Sequence, residues 1–155
     1  MFYLDYLTTK DIFLDPKIQD KKDLIFQMVR SSDAGSKKKI FEAVIEREQI
    51  ETTGVGDGIA LPHARTRFVH KINVKFALCK NGIDFAAPDH QLVHFIFLII
   101  APETNVQGYL KTIAHIVKVI KADDVRSVLL HAKTKKEVMK ILQQYEGKQL
   151  KKRLH

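Results

Sequence analysis

Apolar residues along this chain change period several times, and each change marks an element. Ile12, Phe13 and Leu14 form a short apolar run closed by Pro16, which predicts a first strand. After Asp20, the residues Leu24, Ile25, Met28 and Val29 recur at helical spacing, so a capped helix to about Ser31 is expected. Ser36 begins a second helix with Ile40, Phe41, Val44 and Ile45 inward, ending in Glu46-Arg47-Glu48. Ile72, Val74, Phe76 and Leu78 then alternate with Asn73, Lys75, Ala77 and Cys79, the period of two expected for a strand with one buried face. Asn81-Gly82 and Pro88-Asp89 read as turns. Residues 92–100 are continuously β-prone, the pattern of a central strand buried on both faces. His94 interrupts that run and reads as hydrogen-bonded in place or close to an exposed strand end.

Pro102-Glu103-Thr104 opens a long helix with Val106, Tyr109, Leu110, Ile113, Ile116, Val117 and Ile120 on one stripe. A short helix from about Asp123 or Asp124 to His131 follows. Thr134 and Glu137 have the spacing of a capping box, starting a last helix with Val138, Ile141, Leu142 and Tyr145 inward. The order of strand, two helices, several strands and then helices argues for an α/β fold, a mixed β-sheet covered by helices on both faces. One domain is expected over residues 1–147, with a loosely ordered basic tail over 148–155.

Composition narrows the function classes. The 155 residues suit a single domain with a real core. The longest apolar run, residues 95–101, falls well short of the roughly 20 residues that span a bilayer, and the N-terminus lacks a basic-then-apolar signal pattern. A cytoplasmic protein without membrane insertion is therefore expected. The lone Cys79 cannot form an internal disulfide and reads as a strand side chain. Twenty-six Lys and Arg against eighteen Asp and Glu give a charge of +8. The cations gather at helix ends and in the tail without interleaved aromatics, which favours solvated faces over nucleic-acid binding and leaves an acidic protein partner as a minority reading. His70, His90, His131 and His155 show no metal-ligand spacing and read as surface residues, so no metal site is expected.

The chemistry concentrates in residues 52–65. Gly54, Gly56 and Gly58 precede Ile59-Ala60-Leu61 and then Pro62-His63. Alternate glycines let backbone approach a ligand, and successive main-chain N–H groups there can form an anion-binding concavity. Pro62 restricts the entry into His63. An imidazole, with an ordinary pKa of about 6.5, is a nucleophile near neutral pH. Phosphate is the electrophile that would suit anion-binding surroundings, since phosphoryl transfer asks for positioning and donors. On spacing alone, the same punctuation marks any tight strand-to-loop corner, and a lone histidine is more often structural.

From Glu46 through Arg65 the chain reads ERE-QIETTGVGDGIALPHAR. This run closely resembles the signature of the enzyme IIA domains of the bacterial phosphoenolpyruvate-dependent phosphotransferase system, of the fructose/mannitol/nitrogen-regulatory type. The likeness extends from Lys10-Asp11-Ile12-Phe13 to Val138-Met139-Lys140-Ile141-Leu142. The resemblance implies a mannitol-type enzyme IIA fold and a phosphotransferase that carries phosphate as phosphohistidine. It implies His63 as the phosphorylated nucleophile, attacking through Nε2 while a hydrogen bond holds the other ring nitrogen. It further implies Arg47 as the phosphate-side arginine and Thr53, Gly54, Gly56 and Gly58 as the phosphate-binding loop. Family members commonly place a second histidine where Tyr109 stands here. A tyrosine hydroxyl can donate to a phosphate oxygen but adds no positive charge near neutral pH, and Tyr109 reads equally as a core aromatic. His115, six residues on, is turned away from that position.

By the same resemblance the donor is an HPr-type phosphocarrier protein, and no cofactor is implied. The phosphate then either passes to a cysteine of a IIB domain in sugar transport or sets which target proteins are bound in nitrogen-regulatory signalling. A chain of this length without a fused acceptor favours signalling. A non-phosphorylated module that binds an anion or a partner is the third reading.

Overall fold

The computed structural model describes residue 4 and residues 7–32, 35–122 and 124–154, so Asp123 and His155 lie outside the described residues. A 3-10 turn, Thr9–Asp11, leads into β1 (Ile12–Leu14) and helices α1 (Lys21–Arg30) and α2 (Lys37–Ile50). Three short strands follow, β2 (Gly54–Gly56), β3 (Ile59–Ala60) and β4 (His63–Thr66), then two long ones, β5 (Asn73–Ile83) and β6 (Val93–Pro102). Helices α3 (Val106–Ile120), α4 (Val125–Leu130) and α5 (Lys135–Lys152) complete the chain. The strands form one mixed sheet in the order β1-β5-β6-β3-β2, with β4 also paired to β6. β5 runs antiparallel to β6, whereas β3 and β4 run parallel to it along its other edge.

Side-chain oxygens start the helices by accepting from first-turn amides that have no partner within the helix. Asp20 accepts from the Asp23 amide at 2.8 Å, Ser36 from Lys39 at 3.4 Å and Thr134 from Glu137 at 3.1 Å. The expected capping box at Thr134 is half made, because Glu137 Oε2 accepts from the amide of Lys133 at 2.8 Å, one residue early. Helix α3 is capped by Asn105, whose Oδ1 accepts from Gly108 at 3.0 Å, so the Pro102-Glu103-Thr104 segment precedes the helix.

Helices cover both faces of the sheet, as the sequence implies. Leu24, Ile25, Met28, Ile40 and Val44 pack on one face against Ala77, Ile96, Leu98 and Ile100. Ile116, Val119, Leu129, Val138 and Leu142 pack on the other against Phe76, Phe95, Phe97 and Ile99. Strand β6 therefore alternates its large side chains between two cores, which explains its uninterrupted hydrophobicity.

Several expectations need correction. β5 is buried on both faces: Ala77 and Cys79 lie under α1 and α2, and buried Lys75 places Nζ 3.1 Å from Asp11 Oδ1. Burial pushes the Cys79 thiol up to about 11, with Asp15 adding to the shift, so it stays protonated. Asn81-Gly82 forms no hairpin turn; β5 continues to Ile83 opposite Val93 after a shift in register. Gly82 is required there because its φ is +79° and a Cβ would come within 2.7 Å of the Leu92 side chain. On α3, Val106 and Leu110 are exposed at 43% and 58%, while Tyr109, Thr112, His115, Ile116, Val119 and Ile120 are buried. The expected stripe keeps Tyr109, Ile116 and Ile120 buried and Ile113 and Val117 against the core, but the buried face also takes in polar groups satisfied locally, such as the Thr112 hydroxyl donating to Gly108 O at 2.7 Å, so it is rotated away from Val106 and Leu110. Helix α5 runs through Gly147 to Lys152, so Lys148, Lys151 and Lys152, within the segment read as a basic tail, are helical residues.

The N-terminal Leu4 meets helix α5 at Glu146. Its fully buried carboxylate accepts from the Leu4 amide at 3.0 Å through both oxygens and lies 2.8 Å from His115 Nε2. Glu146→Ala removes the acceptor shared by Leu4 and His115 in a dry layer and should cost about 3 kcal/mol of unfolding free energy in urea. A loss below about 1 kcal/mol would show that this buried carboxylate does not hold Leu4 against α5.

Candidate functional site

β3 and β4 occupy the same edge of β6, with Ile59 opposite Phe95 and His63 opposite Ile99. Between them the chain steps through Leu61 and Pro62. Pro62 O accepts from the Ile99 amide at 3.0 Å, and the Leu61 amide donates to Thr53 O at 3.1 Å. The Leu61 carbonyl is turned to His63 Nδ1 at 2.7 Å. A carbonyl oxygen only accepts, so Nδ1 carries the proton and Nε2 presents a lone pair. Burial lowers the pKa of His63 below its ordinary 6.5; the Leu61 bond opposes that, the Arg47 charge adds to it and the Glu48 charge opposes it. The ring is accordingly neutral at pH 7.

Tyr109 meets this imidazole edge-on, with ring centroids 5.5 Å apart at 61°. It also belongs to the core between the sheet and helices α3 to α5, at 8% exposure, so the core aromatic weighed for it in the sequence is also a neighbour of the His63 ring. Burial raises its hydroxyl pKa, with Arg65 and Arg47 opposing, so the phenol stays neutral. Arg47 stands one turn before the end of α2, where Nη1 donates to Glu51 O at 2.9 Å instead of pairing with Glu46 or Glu48. Its charge bears on both His63 and Tyr109.

The predicted loop is placed differently. Thr53 is buried; its amide donates to Glu48 Oε1 at 3.0 Å and its hydroxyl to Glu48 Oε2 at 2.6 Å, while Lys21 Nζ lies 3.2 Å from Oε1. Both Thr53 donors are thus engaged, and Thr53 clamps the loop entrance to α2. Asp57 and Gly58, with φ of +57° and +75°, are the central residues of a tight β2–β3 hairpin. The Gly54 amide donates to Thr52 Oγ1 at 3.1 Å, and the Asp57 amide to Asp89 Oδ2 at 3.2 Å. The four-residue offset between Phe95 and Ile99 sets Ile59 about 13 Å along the sheet edge from His63, and the turn lies beyond Ile59. Gly56 and Gly58 therefore shape the hairpin, and the structure does not bring them to the imidazole. Gly54 allows close packing, since a Cβ there would come within 2.9 Å of Ala87 Cβ.

Two residues at the site had no functional role in the sequence reading. Arg65 shares the His63 side of β4, while Ala64 and Thr66 pack inward, and its guanidinium carbon lies 5.7 Å from the Tyr109 ring centroid. The period of two from His63 is the signal that finds it. Glu48, near the end of α2, is the buried clamp on Thr53. His94 is hydrogen-bonded in place, Nδ1 to Cys79 O at 2.9 Å. His70, His90 and His131 are exposed. Among the described residues there is no group of three or more metal-capable side chains and no helix long and apolar enough to cross a membrane.

Residues 5–145 match the family model described as phosphoenolpyruvate-dependent sugar phosphotransferase system, EIIA 2. The chain is 34% identical over 131 residues to the PTS system fructose-specific EIIA component of Haloferax volcanii, covering 83% of this chain and 85% of that one. It is 29% identical over 129 residues to the nitrogen regulatory protein of Bradyrhizobium diazoefficiens, covering 81% and 84%. With the fructose-specific EIIABC component of Bacillus subtilis it is 30% identical over 146 residues, which cover 92% of this chain but 23% of that protein. Among solved structures, nitrogen regulatory protein IIA-Ntr from Neisseria meningitidis superposes with a TM-score of 0.81 at 28% identity, covering 90% and 97%. IIA mannitol from Escherichia coli shares the fold, with a TM-score of 0.75 at 22% identity over 88% and 98%. On the match over residues 5–145 and the shared fold, this chain belongs to the EIIA 2 family of the phosphoenolpyruvate-dependent sugar phosphotransferase system.

Proposed function

We propose that His63 accepts a phosphoryl group from the phosphohistidine of an HPr-type protein and that the chain is a phosphocarrier. The observation that carries this reading is the 2.7 Å bond from Nδ1 to the Leu61 carbonyl, which fixes the tautomer and orients Nε2 as the nucleophile. The Nε2 lone pair attacks phosphorus in line; the Nε2–P bond forms as the donor N–P bond breaks, and the donor imidazole leaves with that electron pair. No cofactor, metal or redox partner enters the balance. Arg47 supplies positive charge toward the transferring oxygens, and the Tyr109 hydroxyl supplies a neutral donor.

A signalling role is the preferred fate: the phosphorylation state of His63 sets which target protein is bound. The match to a nitrogen regulatory protein over most of both chains supports it. The fructose-specific relative and the solved complex of IIA mannitol with phosphorylated IIB mannitol support the second reading, delivery to a IIB cysteine whose thiolate displaces the His63 nitrogen from phosphorus.

Incubation with phosphoenolpyruvate, enzyme I and HPr should add one phosphate to the wild type by intact mass and none to His63→Ala. No gain on the wild type, with donors shown to be active, would leave a binding module that takes no phosphate. Because the His63 pKa is lowered, its NMR titration should have its midpoint below the ordinary 6.5, and the acceptor rate should stay level from pH 8 to about 6.5 and fall only in more acid solution. A midpoint at or above 6.5 would contradict the buried, neutral imidazole. Glu48→Gln removes the charge that opposes this shift, so the midpoint should move lower still, and loss of part of the Thr53 clamp should cost about 1–2 kcal/mol in urea unfolding.

A further inference from the structure

We propose that Arg65 is a second phosphate-holding group of the His63 site, kept beside the imidazole by stacking on Tyr109. The proposal rests on His63 being the phosphoryl acceptor. His63 and Arg65 are alternate residues of one strand, opposite Ile99 and Ala101 of β6, so their Cα atoms are about 6.6 Å apart on one side of the sheet edge. Both side chains turn to the same aromatic ring: the His63 centroid and the Arg65 guanidinium carbon lie 5.5 Å and 5.7 Å from the Tyr109 centroid. Tyr109 is buried and anchored in the core, so the surface on which the guanidinium rests is fixed. Arg65 forms no ion pair among the described residues, which leaves its N–H donors for an incoming anion.

The chemistry calls for such a group. A transferring phosphoryl spreads negative charge over three equatorial oxygens. Arg47 reaches the site from α2 with one N–H committed to Glu51 O. Tyr109 is neutral and adds no charge. A guanidinium is charged at every working pH and presents a planar fork that fits two phosphate oxygens at once. Arg65 thus brings a permanent cation beside a neutral tyrosine that touches the acceptor ring. The competing account is ordinary surface packing of an arginine on an aromatic ring. What separates the two is that this ring is the one that touches the acceptor imidazole.

The test is single-turnover phosphorylation of the wild type, His63→Ala, Arg65→Gln and Arg65→Lys, with phospho-HPr and separately with phosphoramidate. In the latter the P–N bond breaks as Nε2–P forms and ammonia leaves, so no protein docking is involved. Arg65→Gln should slow labelling at saturating donor at least about tenfold with both donors, at an unchanged unfolding midpoint. Arg65→Lys should recover much of the rate, and the wild-type-to-Gln ratio should stay constant from pH 6 to 9 because no titrating group is removed. Labelling of Arg65→Gln within about twofold of the wild type by phosphoramidate would overturn the proposal, as would a defect confined to the KM for phospho-HPr, which would make Arg65 a docking contact. An unlabelled wild type would instead bring down the phosphocarrier reading itself, and the proposal with it.

Discussion

Strand β6 holds two separate segments on one edge, and the site is made in the gap between them. β3 and β4 both run parallel to β6 but are offset by four residues along it. The chain that bridges them, Leu61-Pro62, keeps ladder-like bonds through the Leu61 amide and Pro62 carbonyl and turns the Leu61 carbonyl to His63. Without that interruption the carbonyl would face a neighbouring strand and the imidazole would choose its own tautomer. β6 can serve this purpose because it is buried on both faces, between the core under α1 and α2 and the core under α3 to α5. The edge is therefore a rigid reference for the ring.

Around the ring, burial leads, and the Arg47 charge adds to it while the Leu61 bond and the Glu48 charge oppose it. Burial keeps His63 neutral, and the nearby Arg47 charge further disfavours its protonation. On the proposed reading, the same charge suits a phosphoryl dianion added to a neutral nucleophile. Glu48 acts at the base of the site: its carboxylate ties Thr53 to α2 and so fixes the strand from which Leu61 hangs. Tyr109 joins the site to the core, because its ring contacts His63 on one side and belongs to the layer of α3 to α5 on the other.

Much of this was legible in the residues. The caps at Asp20, Ser36 and Thr134, the doubly buried β6 and the Pro62-His63 corner all follow from local rules that the structure keeps. The errors have physical causes. β5 alternates in polarity but lies between two helical layers, so Ala77, Cys79 and an ion-paired Lys75 are buried where an exposed face was expected. Asn81-Gly82 has the composition of a hairpin turn yet serves a strand irregularity, because Leu92 leaves no room for a side chain at Gly82. The glycines at 54, 56 and 58 suggested one anion cradle, but Gly54 pairs with Ala60 whereas Gly56 and Gly58 lie at the β2–β3 turn, beyond Ile59, which stands four residues of register from His63, and that register is something no local pattern reveals. Glu48 was hidden because a buried carboxylate two residues before a helix end reads as solvated charge until its partners at Thr53 are known.

His63 offers Nε2 because Leu61 holds Nδ1. Long-range proton–nitrogen correlation of the His63 ring, before and after phosphorylation, tests it directly. The expected result is a proton on Nδ1 in the free protein and the phosphoryl group on Nε2 in the phosphorylated one. A proton on Nε2 in the free protein, or a phosphoryl group on Nδ1, would contradict it.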